Sequence, residues 1–297
     1  MRILVTGACG FLGSTFIKLA LEQNHQVTGF SAFSNSKHKQ RLYTQYENPN
    51  LTTIQGDITD PKQTQNLCQD IDVVVHLEES RSNLLVETNV LGTNNLLAAA
   101  DRNNPNLFLY VSSDQVYGHT YKGLNDEETT LNPDTPYASS KAASEMLCMS
   151  SRFPYIIART EDAYGPYESP ASKDITYWIY QSLSEQQTTI IHPIFRSRLN
   201  SQDLCRALLL LIQNGNPGEI YNVGNQEEYS DKETVNLIKD ITNSELSTWP
   251  ICEVAIPRRY TVDVNKMREL GWKPQFSLKD GLEQTITWWK LNDWWWS

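Results

Sequence analysis

The sequence predicts an α/β protein, a doubly wound parallel sheet followed by a smaller C-terminal lobe, and three observations carry that reading. Short apolar runs alternate with helical patterns through the first half of the 297 residues, the signature of a parallel sheet covered on both faces. A glycine-rich turn, Thr6-Gly7-Ala8-Cys9-Gly10-Phe11-Leu12-Gly13, joins the first strand to the first helix. After Gly165-Pro166 the alternation gives way to helices separated by short extended pieces. Residues 1–165 are therefore expected to form a dinucleotide-binding domain and residues 166–297 a smaller mixed lobe for the substrate, with the chain re-entering the sheet.

Taken in order, Ile3-Leu-Val5 reads as the first strand, and 13–23 as a helix with apolar Phe16, Ile17, Leu19, Ala20 and Leu21. Strands follow at 26–30, 51–55 and 72–77, the last holding the buried run Val73-Val74-Val75. Residues 86–103 read as a helix, 106–112 as a fifth strand, 136–152 as a long helix and 155–159 as a sixth strand. Pro136 suits the first turn of its helix, where a missing N–H is no loss. Further helices are expected at about 172–185, 202–213 and 231–242, with 219–223 extended. The last helix, 278–292, precedes a tail in which Trp288, Trp289, Trp294, Trp295 and Trp296 crowd together. So many exposed indoles would aggregate, so the tail is expected to dock on the protein or on a partner subunit.

Composition excludes several classes. Lys+Arg 25 against Asp+Glu 35 gives a formal charge of −10, and nothing in that balance draws the chain to a nucleic-acid backbone. The 39% hydrophobic content excludes a disordered chain. No apolar run approaches the roughly 18 residues of a membrane span. Met1-Arg-Ile-Leu-Val5 begins like a signal peptide, but Thr6-Gly7 breaks it, so a cytoplasmic protein is expected. Five scattered cysteines without a C-x-x-C pair read as small buried thiols, and neither they nor the five dispersed histidines have metal-ligand spacing.

The glycine turn sits where dinucleotide binding needs it. Glycine permits the tight turn and lets backbone N–H groups meet a pyrophosphate at the helix N-terminus. A carboxylate is expected at the end of the second strand, to accept from the adenosine ribose. Ser31 stands there instead. Serine can bond a hydroxyl and does not repel a 2′-phosphate, whose charge Lys37, Lys39 and Arg41 could offset; NAD and NADP both remain open. Farther on, Tyr137-Ala-Ser-Ser-Lys141 places a phenol and an ammonium on one helix face. A nearby cation favours phenolate, fitting the tyrosine for acid–base work. Ser113, at the C-terminal end of the fifth strand where such sheets bind ligands, could bond a substrate hydroxyl while Tyr137 takes its proton.

These residues, with Gly56-Asp57-Ile58, Val75-His76-Leu77, Thr88-Asn89-Val90-x-Gly92-Thr93 and Tyr164-Gly165-Pro166, resemble the extended short-chain dehydrogenase/reductases with a Rossmann-type fold. The resemblance covers nearly the whole chain and is to the NAD-dependent nucleotide-sugar epimerase/dehydratase group. Tyr164-Gly-Pro-Tyr167, Tyr221-Asn-Val-Gly224, Arg258-Arg-Tyr260 and Leu270-Gly-Trp-Lys-Pro274 look most like dTDP-glucose 4,6-dehydratases. The resemblance implies one tightly bound NAD or NADP held at Gly7, Gly10, Phe11, Leu12, Gly13, Asp57, Ile58, Tyr137 and Lys141, with Ser31, Leu77, Glu78 and Asn89 completing the cofactor wall. It implies that Tyr137 deprotonates the sugar 4-hydroxyl as hydride leaves C4, that Lys141 bonds the nicotinamide ribose, and that Asp114 protonates the departing 6-hydroxyl. Ser113, Asp162, Arg196, Asn222 and Arg258 match positions that hold a nucleotide-diphosphate sugar, and the helices at about 83–103 and 136–152 match a homodimer interface. Ala98, Ala99, Ala142 and Ala143 allow close helix approach there, or equally against the sheet.

Three departures bear on the chemistry. Gln115 replaces the glutamate that serves such dehydratases as base, and an amide takes no proton at neutral pH. Glu78-Glu79 stands where the family carries two small residues beside the cofactor, so a glutamate there either repels phosphate or enters the active site as a base. Glu161-Asp162 occupies the place of an asparagine. Three readings follow: a 4,6-dehydratase; a 4-epimerase or 4-ketoreductase without elimination; and a non-catalytic nucleotide-sugar or dinucleotide sensor.

Overall fold

The apolar runs read as strands become parallel neighbours. In chain order the strands are β1 (Arg2–Thr6), β2 (Gln26–Ser31), β3 (Leu51–Gln55), β4 (Val73–His76), β5 (Leu107–Ser113), β6 (Tyr155–Thr160), β7 (Asp162–Tyr164), β8 (Ile190–Asn200), β9 (Ile220–Val223), β10 (Glu228–Ser230) and β11 (Ile251–Tyr260). Seven of them form one sheet in the order β3-β2-β1-β4-β5-β6-β9, every pairing parallel. The computed structural model describes residues 1–33, 41–82, 84–120, 123–170, 174–186, 190–244 and 251–296; the side chains of 43, 191, 192 and 251–257 are not described. Lys37 and Lys39, assigned above to phosphate charge, lie outside the described residues, as does the Cys252 side chain.

Both sheet faces are covered, as the uninterrupted apolar runs of β1, β4 and β5 require. On one face the helices Phe11–Glu22 and Ser201–Asn214 bury Phe16, Ile17, Leu204 and Leu208 against Ile3, Val5 and Val75. On the other, Leu96 and Ala100 of the helix Gly92–Asn103 and Cys148 of the helix Pro136–Met149 meet Leu4, Val74 and Phe108. Ala99 and Ala142 are buried, so these small residues serve their own helices' packing on this chain. Pro136 occupies the first turn of its helix, and the Thr135 hydroxyl caps it by accepting from the Ala138 N–H at 3.1 Å.

The chain's return to the sheet goes further than a lobe beginning at 166 allows. The helix Ser201–Asn214 belongs to the main core and β9 is the seventh strand; Leu204, Leu208 and Leu211 give that helix a broad apolar face, which packs on the sheet. The lobe has its own core of Trp178, Ile179, Val235, Ile238, Leu282, Ile286, Trp289 and Trp295. Its small sheet runs β10-β8-β11, with β7 also on β8. The expected helix at 86–103 divides into a π-helical turn, Val86–Leu91, and the α-helix Gly92–Asn103. At that junction the Asn89 carbonyl accepts from the Thr93 and Ser144 hydroxyls, at 2.5 and 2.7 Å. Gly92 leaves room for Ile58, whose Cγ2 would lie 2.7 Å from a Cβ there.

Candidate active site

At the C-terminal ends of β1, β4, β5 and β6 lies a cleft of about 360 Å³, walled by the glycine turn, Ser31, Leu77, Glu78, Glu79, Ser113, Tyr137 and Asp162 among others. The turn is shaped by packing as well as by any ligand. Gly7 has φ +69°, and a Cβ there would stand 2.8 Å from the Leu77 carbonyl oxygen. The helix it opens has Gly10 as N-cap, with no side-chain cap and no acidic residue in its first turn. Its first N–H groups therefore lack both intrahelical and side-chain acceptors at a cleft wall formed by Phe11, Leu12 and Gly13. That cradle fits a dinucleotide pyrophosphate.

Around the adenosine end of such a ligand, Ser31 is buried and its hydroxyl lies 2.9 Å from the Cys9 sulfur. Asp57 and Ile58 line a second cavity of about 410 Å³, into which Glu78 also faces. The Asp57 carboxylate accepts from the N–H and hydroxyl of Thr59, both at 2.8 Å. Burial pushes the Glu78 carboxyl up to about 7, against the opposing bond from the Gly7 N–H. Arg41 crosses the cleft edge, donating to the Cys9 carbonyl at 2.9 Å and the Tyr167 carbonyl at 3.1 Å, with its guanidinium 5.1 Å from the Trp295 ring.

The Tyr137/Lys141 pair is engaged by a glutamate. The Tyr137 hydroxyl donates to Glu79 Oε2 at 2.8 Å, and Lys141 Nζ stands 3.2 Å from the same oxygen while donating to the Val111 carbonyl at 2.7 Å. Arg81 binds the other Glu79 oxygen at 3.3 Å and stacks on Tyr137 with its guanidinium 4.1 Å from the ring centre. The expectation that a cation lowers the phenol is thereby reversed in the free protein. Burial and the Glu79 carboxylate hold Tyr137 well above its ordinary range, against the opposing charge of Arg81. Burial also lowers Lys141, with Glu79 acting to retain its charge. Arg81, absent from the sequence reading, lies 56 positions from Tyr137, so only the fold joins them.

On the sugar side, the Ser113 hydroxyl donates to Asp114 Oδ1 at 3.1 Å and accepts from the Gln115 N–H at 3.2 Å, capping the short 3₁₀ turn Asp114–Tyr117. Asp114 is buried, and desolvation followed by the Asp162 charge raises its carboxyl well above the usual range. Asp114, Gln115, Asp162, Arg196 and Tyr260 share a small cavity of about 70 Å³. Arg196 faces three carboxylates, Asp174 at 3.1 Å, Asp162 at 3.5 Å and Asp231 at 3.6 Å.

Three expected contacts are not brought to the cleft. Asn222 is fully buried: it accepts from the Tyr117 hydroxyl at 2.8 Å and donates to the Asn125 and Asp263 carbonyls, so its amide holds β9 rather than a ligand. Asn89 donates to Ser80 O and Ser140 Oγ and accepts from the Ser80 N–H, tying the loop after β4 to the helix below Tyr137. Arg258 is exposed on β11, outside the wall of either cavity. For Asn222 and Asn89 the motif position matches while local hydrogen bonds occupy the side chain.

A profile of the NAD dependent epimerase/dehydratase family matches residues 3–224. The dTDP-D-glucose 4,6-dehydratase of Homo sapiens is 33% identical, over 98% of this chain and 90% of its own length. The low-salt glycan biosynthesis protein Agl12 of Haloferax volcanii is 31% identical, over 99% of this chain and 100% of its own. The crystal structure of DesIV, a dTDP-glucose 4,6-dehydratase from Streptomyces venezuelae with NAD bound, superposes with a TM-score of 0.93 at 29% identity, covering 100% of this chain and 99% of that one. With its parallel sheet, glycine turn and Tyr137/Lys141 helix in this arrangement, the chain belongs to the NAD dependent epimerase/dehydratase family.

Proposed function

We propose that this chain is an NAD-dependent nucleotide-sugar 4,6-dehydratase. The observation that carries the reading is the convergence of Tyr137, Ser113 and the uncapped glycine turn on one cleft, with the protonated Asp114 carboxyl on the adjoining cavity. The uncapped glycine turn would hold NAD, which would supply reversible hydride exchange with the sugar. Tyr137 takes the 4-hydroxyl proton once Glu79 withdraws, because removing that carboxylate leaves Arg81 and Lys141 to favour phenolate. Ser113 orients the sugar hydroxyl. Asp114, kept neutral by burial, gives its proton to the 6-hydroxyl as it leaves.

The nearest rival, a 4-epimerase that stops at C4 redox, is favoured by Gln115 alone. Incubating the purified protein with NAD and dTDP-glucose separates the two: dehydration lowers the sugar mass by one water, whereas epimerisation leaves it unchanged. We infer further that the protein works as a cytoplasmic homodimer. Cys9, Cys68, Cys148 and Cys205 are free thiols, in keeping with a reducing compartment, and among the described residues no helix is long and apolar enough to cross a membrane. Leu84, Val86 and Leu91 on one side and Met146 and Met149 on the other are exposed apolar residues on the two segments expected to pair.

A further inference from the structure

We propose that Asp162 is the base that removes the C5 proton, taking the place of the carboxylate missing at Gln115. The assignment rests on the dehydratase reading and supplies the step that reading lacks. Five carboxylates line the main cleft: Glu78, Glu79, Glu161, Asp162 and Glu168. Only Asp162 among them also lines the small cavity that holds Asp114 and Gln115.

The other four are placed for different work. Glu78 sits beside the Gly7 backbone, at the far end of the cleft. Glu79 engages Tyr137 and Lys141. Glu161 is buried and accepts from the Asn225 N–H at 3.0 Å and the Val262 N–H at 3.4 Å, which fixes it towards the lobe. Glu168 is buried beside Arg41, its carbonyl accepting from the Trp295 indole at 2.8 Å. Asp162 begins β7, directly after Glu161, and its side chain keeps 24% of its surface open. Arg196 faces it at 3.5 Å, a cation that draws a carboxylate to this side of the cavity.

Asp114 and Asp162 then form an unlike pair across one cavity. Burial, and after it the Asp162 charge, raise the deeper carboxyl well above the usual range, while the outer one is partly open and faces Arg196. This is the division of labour an elimination needs. In the 4-keto sugar the C5–H bond breaks, its proton passes to Asp162, and its electron pair forms the C5–C6 double bond. The C6–O bond breaks in concert, and the hydroxyl leaves with the Asp114 proton as water. The step is redox-neutral and leaves Asp162 protonated and Asp114 ionised.

The experiment compares unaltered protein, Asp162→Asn, and Asp162→Asn with Gln115→Glu, each given NAD and dTDP-glucose in heavy water. Reduced-nicotinamide absorbance and product mass are followed together, and thermal melting confirms folding. Asp162→Asn is expected to bind NAD and form reduced nicotinamide, then stall, with elimination and C5 deuterium incorporation down about 10²–10⁴-fold. The second substitution is expected to restore both. Elimination by Asp162→Asn at the unaltered rate would overturn the assignment while leaving the dehydratase reading standing. If the unaltered protein forms neither reduced nicotinamide nor product, the dehydratase reading falls, and the assignment with it.

Discussion

At Glu79 the chain does what the sequence only hinted at. Its carboxylate holds the Tyr137 proton and faces the Lys141 charge, so the free protein carries a neutral phenol. Replacing it by glutamine removes the charge that raises the phenol, and the base-limited arm of the pH–rate profile is expected to move to lower pH. An unmoved profile would show that Glu79 leaves Tyr137 unaffected in the working enzyme. Glu78 predicts a pH dependence of a different kind. Burial places its carboxyl at about 7 beside the pyrophosphate cradle, so it is neutral below that value and anionic above it. NAD affinity, measured by calorimetry, is therefore expected to weaken as pH rises through about 7, and Glu78→Gln should flatten the dependence. That Tyr137 and Ser113 would share one cleft was legible because spacing and strand ends are local properties. The environment of Asn222 was not, since its three partners come from segments 41 to 105 residues away. Asn222→Ala should accordingly lower melting temperature through unpaired buried groups while leaving substrate KM unchanged in the folded fraction.

Among the elements, the helix Pro136–Met149 connects site and scaffold. Its outer end presents Tyr137 and Lys141, and about two turns on from Tyr137 Glu145 is fully buried against Arg159 of β6 at 2.8 Å. Glu145 also accepts from the Ser112 hydroxyl at 2.5 Å, and Arg159 donates to the Tyr117 hydroxyl, so one network spans β5, β6 and the catalytic helix. Glu145→Ala strands the guanidinium in the core and should lower unfolding free energy by about 3–5 kcal/mol in urea titration. The alternating first half of the fold could be read directly from periodicity. The strands β8 and β11 could not, because Pro193 interrupts the first and Pro257 with two arginines breaks the second. Nor could the placement of the helix Ser201–Asn214, whose apolar face fits a sheet or a lobe equally until β9 fixes it.

Over the whole molecule, the C-terminal tail closes the lobe against the cofactor edge of the sheet. Trp289 and Trp295 are buried, Trp295 donates to the Glu168 carbonyl, and Tyr167 packs 4.4 Å from Trp288 ring centre to ring centre. The tail thus docks on its own chain, and through Arg41 it braces the Cys9 carbonyl of the glycine turn. Trp295→Ala should cost about 3–5 kcal/mol and weaken NAD binding together. Oxidation of a nucleotide sugar at C4 through Tyr137 is open to a single-turnover experiment: dTDP-glucose is mixed with the NAD-loaded protein and with its Tyr137→Phe variant while nicotinamide absorbance is followed. A transient rise in reduced nicotinamide that the substitution abolishes is the predicted result, whereas an equal rise in both proteins, or saturable binding with no rise in either, would contradict it.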